Sequence, residues 1–357
     1  MLVVLIAVLL ALAIVGPAYS EPTGYLALLR RAAPLMILAI GQYFVIVSGG
    51  FDLSVGSLVT AVVVIAARLI DGQESLTFPV IILLLAFGAG VGLVNGIITT
   101  RLLVPSFIVT FGMLLILEGA VFLWTGGAPR GALSETFRAF GRKGFEDVPV
   151  IGQLPYSVLV LLAVTVAAVV AMRSGWGRTL VAVGDNETAV HLAGGRVWQL
   201  RTTAFVLSGL LAAVAGILAG GFGGVSAQVG QGYEFQAITA VVLGGVLLGG
   251  GRGSVVAAMF GALTLEALFA LLTLLGVPRT LESLIQGVII IAAVAYAANS
   301  AGWRDRFRRT DLGVAIADPS VAPVDAIASP TDVQRTAPAR PSHPTERQFP
   351  ADSKEQG

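Results

Sequence analysis

The sequence predicts an all-α protein that crosses a membrane many times, with about ten transmembrane helices. Two observations indicate this class. Of the 357 residues, 56% are hydrophobic and only 12% are charged, whereas soluble domains carry about 25% charged residues. Apolar stretches of roughly twenty residues also recur along the chain, and this is the length that an α-helix needs to cross about 30 Å of hydrocarbon.

Ten apolar segments are candidate spans, and the first and eighth are the weakest. The first could instead be a cleaved signal peptide, but it lacks a basic N-terminal region, so a retained helix is favoured. The eighth is short and rich in glycine, which predicts a tilted or broken helix whose freed backbone groups are buried in protein. The candidate spans are 1–16, 32–48, 53–70, 79–100, 106–124, 155–172, 203–221, 236–250, 254–276 and 281–299.

The chain is predicted to divide into a transmembrane domain, residues 1–302, and a C-terminal tail, residues 303–357. The tail holds seven of the 16 prolines, mixed charge and few large apolar residues. This composition predicts a disordered segment that cannot bury a core. A dispensable extension is favoured over a regulatory arm.

Basic residues predict the orientation in the membrane. The loops around 125–154 and 173–202 each carry four basic residues and lie on opposite sides, so they do not decide it. The cluster WRDRFRR at 303–309 places the C-terminus in the cytoplasm. With an even number of spans, the N-terminus and the 173–202 loop are then cytoplasmic as well.

The residue inventory argues against an enzyme. The chain has no cysteine and only two histidines, both in presumed loop or tail segments, so no cofactor, metal or nucleophile is predicted. Neither lysine, Lys143 or Lys354, follows the glycine pattern of a nucleotide-binding P-loop. The net charge of +1 gives no sign of a nucleic-acid partner. The energy for any transport must come from an ion gradient or from a partner protein.

Several acids lie in or near apolar segments, where a proton-coupled transporter would use them as relays. The competing interpretation is that they sit at helix ends, where an acid favours the positive end of the helix dipole. Helix ends are favoured for Asp52, Glu234 and Glu282. For the deeper Glu118 and Glu266 both interpretations stay open.

The stretch SGGFDLSVGS, residues 48–57, predicts a sharp break between two helices. Gly49 and Gly50 would end the first helix, and Asp52 or Ser54 would accept hydrogen bonds from the free amides of the next. Ser57, with the preceding glycine, offers a small-residue face for a neighbouring helix.

The glycine-rich segment LGGGRGSVVAA, residues 248–258, predicts a second helix break of the same kind, with Ser254 as the cap of the following helix. A motif that occurs twice in one chain in this way is typical of transporters built from internal repeats.

The segment VGDNETAVHLAGG, residues 183–195, predicts a short capped helix between two spans. Asp185 and Asn186 are the predicted caps and Glu187 stands in the first turn. A small apolar face suits docking into a groove of a cytoplasmic partner. The alternative, an interfacial helix, usually carries bulkier apolar residues and more basic ones. The face consists of Ala189, Leu192 and Ala193, and Gly194 or Gly195 would end the helix.

Three motifs resemble the permease subunits of ABC importers for ribose, galactose and related simple sugars. They are GGFDLSVGSLVT, VPSFIVTFGML at 104–114 and GYEFQAITAVVLGGVLLGGGRGSV at 232–255. The resemblance covers roughly residues 25–300 in the order and spacing of the family.

The resemblance implies a type II ABC importer-like permease fold in the bacterial plasma (inner) membrane. It implies a second permease chain, identical or paralogous, two ABC ATPase subunits and a periplasmic or lipid-anchored sugar-binding protein. Its cargo would be a monosaccharide. Another small polar solute, such as autoinducer-2, a nucleoside or an amino acid, remains an alternative, as does an ion-coupled secondary transporter.

The resemblance also implies functional residues. In the family, the segment that corresponds to 183–195 is moved by the ATPase. This segment matches the family at Gly184, Asn186, Ala189, Leu192 and Gly194. It departs from the family at Asp185, Val190 and His191. For an uncharged polyol, serine, asparagine and aromatic residues are the expected pathway lining. The predicted lining residues are Asn95, Ser106, Phe107 and Gln236.

Overall fold

The computed structural model describes residues 2–149, 152–278, 281, 284–289, 291, 292 and 295. Most of these residues are helical, which agrees with the predicted class. The helices are α1 (Leu2–Val15), α2 (Pro22–Val47), α3 (Val55–Ile70), α4 (Thr77–Arg101), α5 (Ser106–Thr125), α6 (Glu135–Arg142), α7 (Tyr156–Arg173), α8 (Gly175–Asp185), α9 (Glu187–Leu192), α10 (Val197–Gly223), α11 (Tyr233–Leu243) and α12 (Val255–Leu274).

Six helices within the described residues are long and apolar enough to cross a bilayer: α2, α4, α5, α7, α10 and α12. The shorter apolar helices α1, α3 and α11 occupy the predicted spans 1–16, 53–70 and 236–250. About half of the predicted span 281–299 lies within the described residues, and the predicted tail 303–357 lies wholly outside them. The chain is therefore a multi-pass membrane protein.

The segment after α5, predicted as a loop, contains regular structure. Ser134 caps the N-terminus of α6, and its hydroxyl accepts the Phe137 amide at 3.2 Å. Strands β1 (Gly144–Val148) and β2 (Gly152–Pro155) then form an antiparallel hairpin. A search for spans about twenty residues long misses these elements because they are short and polar.

Two predicted helix boundaries are wrong. Helix α2 begins at Pro22, ten residues before the predicted start, because proline suits the first turn of a helix and the turns that follow hold a mixture of polar and apolar residues. Helix α11 ends at Leu243 and not at residue 250. The chain beyond it adopts left-handed backbone angles at Gly245, Gly250 and Gly251, with φ of 83°, 85° and 74°. Such angles end a helix.

Helices α4 and α10 pack closely through a row of glycines on α4. A Cβ at Gly88 or Gly92 would overlap backbone oxygens of α10, and a Cβ at Gly96 would lie 2.8 Å from the Thr202 Cα. Glycine at every fourth position lets two helix backbones approach in a membrane protein. This approach brings Asn95 on α4 and Ser208 on α10 to the N-terminal end of α3, where Asn95 reaches Ser54 and Ser208 reaches Asp52.

Candidate functional site

The break between α2 and α3 is a tight turn that neighbouring helices hold in place. Gly49 has a φ of 88°, and the Gly50 amide donates to the Val45 carbonyl oxygen at 3.0 Å. The next amides are bound by α5: Phe51 N–H donates to the Ser106 hydroxyl oxygen at 3.0 Å. Gly49 and Gly50 thus follow the end of α2, as predicted.

Asp52 lies at the centre of a buried hydrogen-bond network and is 1% exposed. Its Oδ1 accepts from the Ser54 amide at 3.0 Å and from the Ser54 hydroxyl at 2.6 Å. Its Oδ2 accepts from the Ser208 hydroxyl at 2.8 Å. Asp52 therefore binds an amide at the start of α3, as its position predicted, and also ties α3 to α10.

The serine caps predicted at the two helix breaks are not formed. Ser54 stands at the N-cap of α3 and Ser254 at that of α12, but neither side chain accepts a capping hydrogen bond. The Ser54 hydroxyl is instead occupied by Asp52 and by the Asn95 side-chain amide, which donates to it at 2.9 Å. Of the two residues predicted to accept an amide at the start of α3, Asp52 does so and Ser54 does not.

The predicted pathway residues are placed in different environments. Asn95 is fully buried and donates to Ser54, and Ser106 accepts the Phe51 amide, so these polar groups are used inside the protein. Phe107 is 56% exposed and its ring stacks on Phe111. Gln236 is partly buried. A pathway role for these residues stays a prediction, and Asn95 and Ser106 hold the helix break together in this structure.

The segment predicted to dock a partner forms the corner between α8 and α9. The Asn186 side chain accepts the Ala189 amide at 2.9 Å, so Asn186 is the cap. Asp185, also predicted as a cap, is the last residue of α8. The face formed by Ala189, Leu192 and Ala193 is exposed, and the Leu192 side chain is 82% exposed. Gly194, with a φ of 81°, follows the helix end.

Three glycine corners that are far apart in sequence meet at one point. A Cβ on Gly184, at the end of α8, would overlap the Val47 carbonyl oxygen at the end of α2. That oxygen accepts the Gly251 amide at 2.9 Å, and Gly251 belongs to the loop between α11 and α12. A Cβ on Gly250 would lie 3.0 Å from the Gly49 nitrogen. The α8–α9 corner therefore contacts both predicted helix breaks through backbone alone.

Arg201 on α10 forms a second link between the same elements. Its Nη1 lies 2.8 Å from the Glu187 Oε2 on α9, and its Nε–H donates to the Ser48 carbonyl oxygen at 3.0 Å. In the sequence, Arg201 is one of the four basic residues of the 173–202 loop. No local pattern distinguishes it, because its partners are 14 and 153 residues away.

The acids in apolar segments differ in their surroundings. Glu266 pairs with Arg31 at 3.5 Å, and Glu234, in the first turn of α11, is 8% exposed and packs against Gly56. Glu118 on α5 is exposed and lines a cavity with Ser57. Glu282 lies outside the described residues.

Comparison with known proteins identifies the family. Residues 24–294 match the model of a family described as "Branched-chain amino acid transport system / permease component". The chain belongs to this permease family. The permease is 35% identical to the ribose import permease protein of Escherichia coli (strain K12) over 299 residues, 81% of this chain and 91% of the relative. The predicted resemblance to importer permeases is confirmed.

Other relatives differ in the cargo that their names state. The permease is 34% identical over 305 residues to the fructose import permease protein of Rhizobium meliloti, covering 82% of this chain and 83% of the relative. It is 35% identical over 262 residues to an autoinducer 2 import system permease protein of Enterobacter sp. (strain 638), covering 73% and 74%. No solved structure matches the chain significantly.

Proposed function

We propose that the chain is the membrane subunit of an ABC importer that moves a monosaccharide into the cytoplasm and is powered by a separate ATPase subunit. The observation that carries this proposal is the exposed face of α9, joined to the α2–α3 break through Gly184 and Arg201. Membership of the permease family and sugar-import relatives support the cargo class. The absence of a P-loop motif from the sequence leaves ATP hydrolysis to a partner.

In the proposed mechanism, movement is transmitted where the three glycine corners at Gly49, Gly184 and Gly251 meet. When the ATPase subunits close on ATP, they move α9, and the backbone contacts at Gly184 pass this displacement to the ends of α2 and α11. Packed backbones do not deform continuously, so a small shift at α9 switches the helix break between two arrangements. That switch would change the side of the membrane to which the pathway opens.

The same proposal includes the assembly predicted from the resemblance. Two permease chains with a type II fold of about ten helices would form the pathway in the bacterial inner membrane, with both termini in the cytoplasm. A periplasmic or lipid-anchored binding protein would deliver the sugar. The ion-coupled alternative needs Glu118 or Glu266, and the contact of Glu266 with Arg31 gives that acid a structural role.

Replacing Ala189 by arginine is expected to abolish capture of the ATPase. The side chain would place bulk and charge on the exposed apolar face of α9, which a partner groove must desolvate. The measurement is co-purification of the detergent-solubilised permease with candidate ATPase subunits. Ala128→Arg is the matched control because Ala128 is exposed in the segment that follows α5.

Two results would contradict the docking role of α9. One is failure of the unmodified permease to capture any ATPase, and the other is equal capture by Ala189→Arg. Glu118 and Glu266 would then be tested for proton coupling.

Replacing Arg201 by leucine is expected to leave ATPase capture intact and to uncouple hydrolysis from transport. Glu187 is 52% exposed at its side chain, so the ion pair contributes at most about 1 kcal/mol to stability. The expected defect is in coupling, because without the Arg201 side chain α9 is no longer linked to Ser48. The readouts are ATPase co-purification and sugar uptake per ATP hydrolysed in proteoliposomes.

The control for Arg201 is Arg196→Leu, which removes an exposed arginine from the start of α10. Equal uptake per ATP in Arg201→Leu and unmodified complexes would show that Arg201 is not needed to couple hydrolysis to transport.

A further inference from the structure

A cavity of about 480 Å³ lies among α3, α5 and the segment that precedes α11, and its lining combines apolar and polar groups. Its volume falls within the range of about 300–1,000 Å³ that small-molecule sites occupy. Within the described part of the chain, hydroxyl, amide and carboxylate side chains line the cavity together with one aromatic ring, two small apolar side chains (Val121 and Ala227) and two glycines, and no lysine or arginine lines it. The residues used below are Ser57, Thr60, Glu118, Phe122, Gln228 and Gln231.

Glu118 is the charged residue whose position most requires an explanation. It is the single Asp, Glu, Lys or Arg in α5 (Ser106–Thr125), a helix with a mean hydropathy of 2.2. An acid at such a position costs about 2.5–3.5 kcal/mol on insertion scales and marks a substrate path or a polar partner. Among the described residues, no hydrogen bond or ion pair is formed by its side chain, which faces the cavity.

The opposite wall is fixed by close backbone packing. A Cβ on Gly56 would overlap the Gly230 carbonyl oxygen, and a Cβ on Gly230 would overlap the Gly56 carbonyl oxygen. The Thr60 hydroxyl accepts the Gly230 amide at 3.0 Å. This anchor holds Gln228 and Gln231 at the cavity, with both side chains exposed. The wall is therefore built before any solute binds.

The chemistry of the lining separates the candidate solutes. A carboxylate and two primary amides can accept and donate several hydrogen bonds to neighbouring hydroxyl groups. Phe122, whose side chain is 68% exposed, offers an apolar surface to the C–H face of a sugar ring. An amino acid or a phosphorylated solute would bring an anionic group, and no cation of the lining is available to neutralise it.

We propose that this cavity binds an uncharged polyol of monosaccharide size, with Glu118 accepting hydrogen bonds from two ring hydroxyls. The inference rests on the proposed importer function and names its solute site. It places the site at Glu118 and the two glutamines, away from the buried Asn95.

The test uses the absence of cysteine from the chain. Ala227→Cys places a single thiol in the cavity of the full-length permease without removing a proposed hydrogen-bonding group, and its rate of modification by a methanethiosulfonate reagent is measured in detergent. D-Ribose and D-fructose are the probes, and L-leucine is the comparison solute. A sugar at about twice its dissociation constant should slow modification about threefold, since the free fraction falls as 1/(1 + [L]/Kd).

Three variants make the test specific. Gln73→Cys lies in the exposed turn after α3, and its modification should not change with sugar. In the Ala227→Cys background, Glu118→Leu should remove the protection, whereas Glu118→Gln should keep most of it because the amide oxygen still accepts a hydroxyl. Size-exclusion chromatography confirms that each variant is folded.

The outcomes distinguish this inference from the proposed function. Protection by either sugar and not by L-leucine supports the cavity as a polyol site. Equal protection by L-leucine, absence of protection by both sugars, or a thiol that does not react without solute would overturn it. If the ATPase is still captured in a way that depends on Ala189, the importer function stands while the cavity assignment fails. If no ATPase is captured but sugar still protects the thiol, the cavity assignment stands while the importer function fails.

Discussion

Gly184→Ala is expected to destabilise the permease and to abolish transport. The added methyl group would overlap the Val47 carbonyl oxygen and lie 2.5 Å from the Gly251 nitrogen. Both neighbours are backbone atoms that hydrogen-bond to each other, so the α8–α9 corner must move away from them. Overpacking of this kind costs about 1–3 kcal/mol, occasionally more. The measurements are the thermal unfolding midpoint in detergent and sugar uptake by the reconstituted complex.

The matched control for this prediction is Gly175→Ala. Gly175 begins the same helix, α8, and an added Cβ there meets no atom of the described chain within 4 Å. Alanine also favours a helix over glycine, so this variant should be as stable as the unmodified chain or slightly more stable. Normal uptake by Gly184→Ala would mean that the contact between α8 and the end of α2 is dispensable.

Asp52→Leu is expected to have the second large effect, a loss of stability of about 3 kcal/mol or more, because three buried donors lose their acceptor. These donors are the Ser54 amide, the Ser54 hydroxyl and the Ser208 hydroxyl. Leucine fills a similar volume but accepts no hydrogen bond. The readout is the thermal unfolding midpoint and the monodispersity of the purified chain.

Asp52→Asn separates hydrogen bonding from charge. The asparagine oxygen can keep both bonds from Ser54, and the Ser208 hydroxyl can rotate to accept from the amide nitrogen. This variant should lie within about 1 kcal/mol of the unmodified chain. If leucine and asparagine at position 52 were equally stable, the network around Asp52 would not hold α3 to α10.

Local sequence signals predicted much of the fold because they act over one or two helical turns. Asn186 caps α9 as predicted, since its side chain reaches an amide only three residues away. Gly49 and Gly50 follow the end of α2 because a left-handed residue cannot continue the helix. The capping signal failed at Ser54, where a longer contact competed: the Ser54 hydroxyl binds Asp52 and Asn95 and does not cap α3.

The functional residues were harder to predict than the helices. Asn95 and Ser106 have the polarity of pathway residues, but α3 and the turn before it use that polarity inside the protein. Arg201, Gln228 and Gln231 carried no distinguishing local pattern, yet the fold places them at the α9 link and at the cavity. The sequence left Glu118 open between a proton relay and a helix-end acid, and its place in the lining of the cavity is the observation on which the proposed polyol site rests.

The sequence by itself determined that this protein is a helical membrane protein, that a helix ends at Gly49 and Gly50, and that a short helix capped by Asn186 follows α8. It determined these features because hydropathy, glycine and capping act between near neighbours in the chain. Only the tertiary structure decided that the corners at Gly49, Gly184 and Gly250 meet, and that Glu118 and Gln228 line the same cavity. These contacts join backbone atoms and side chains that lie many tens of residues apart, and close packing of whole helices brings them together.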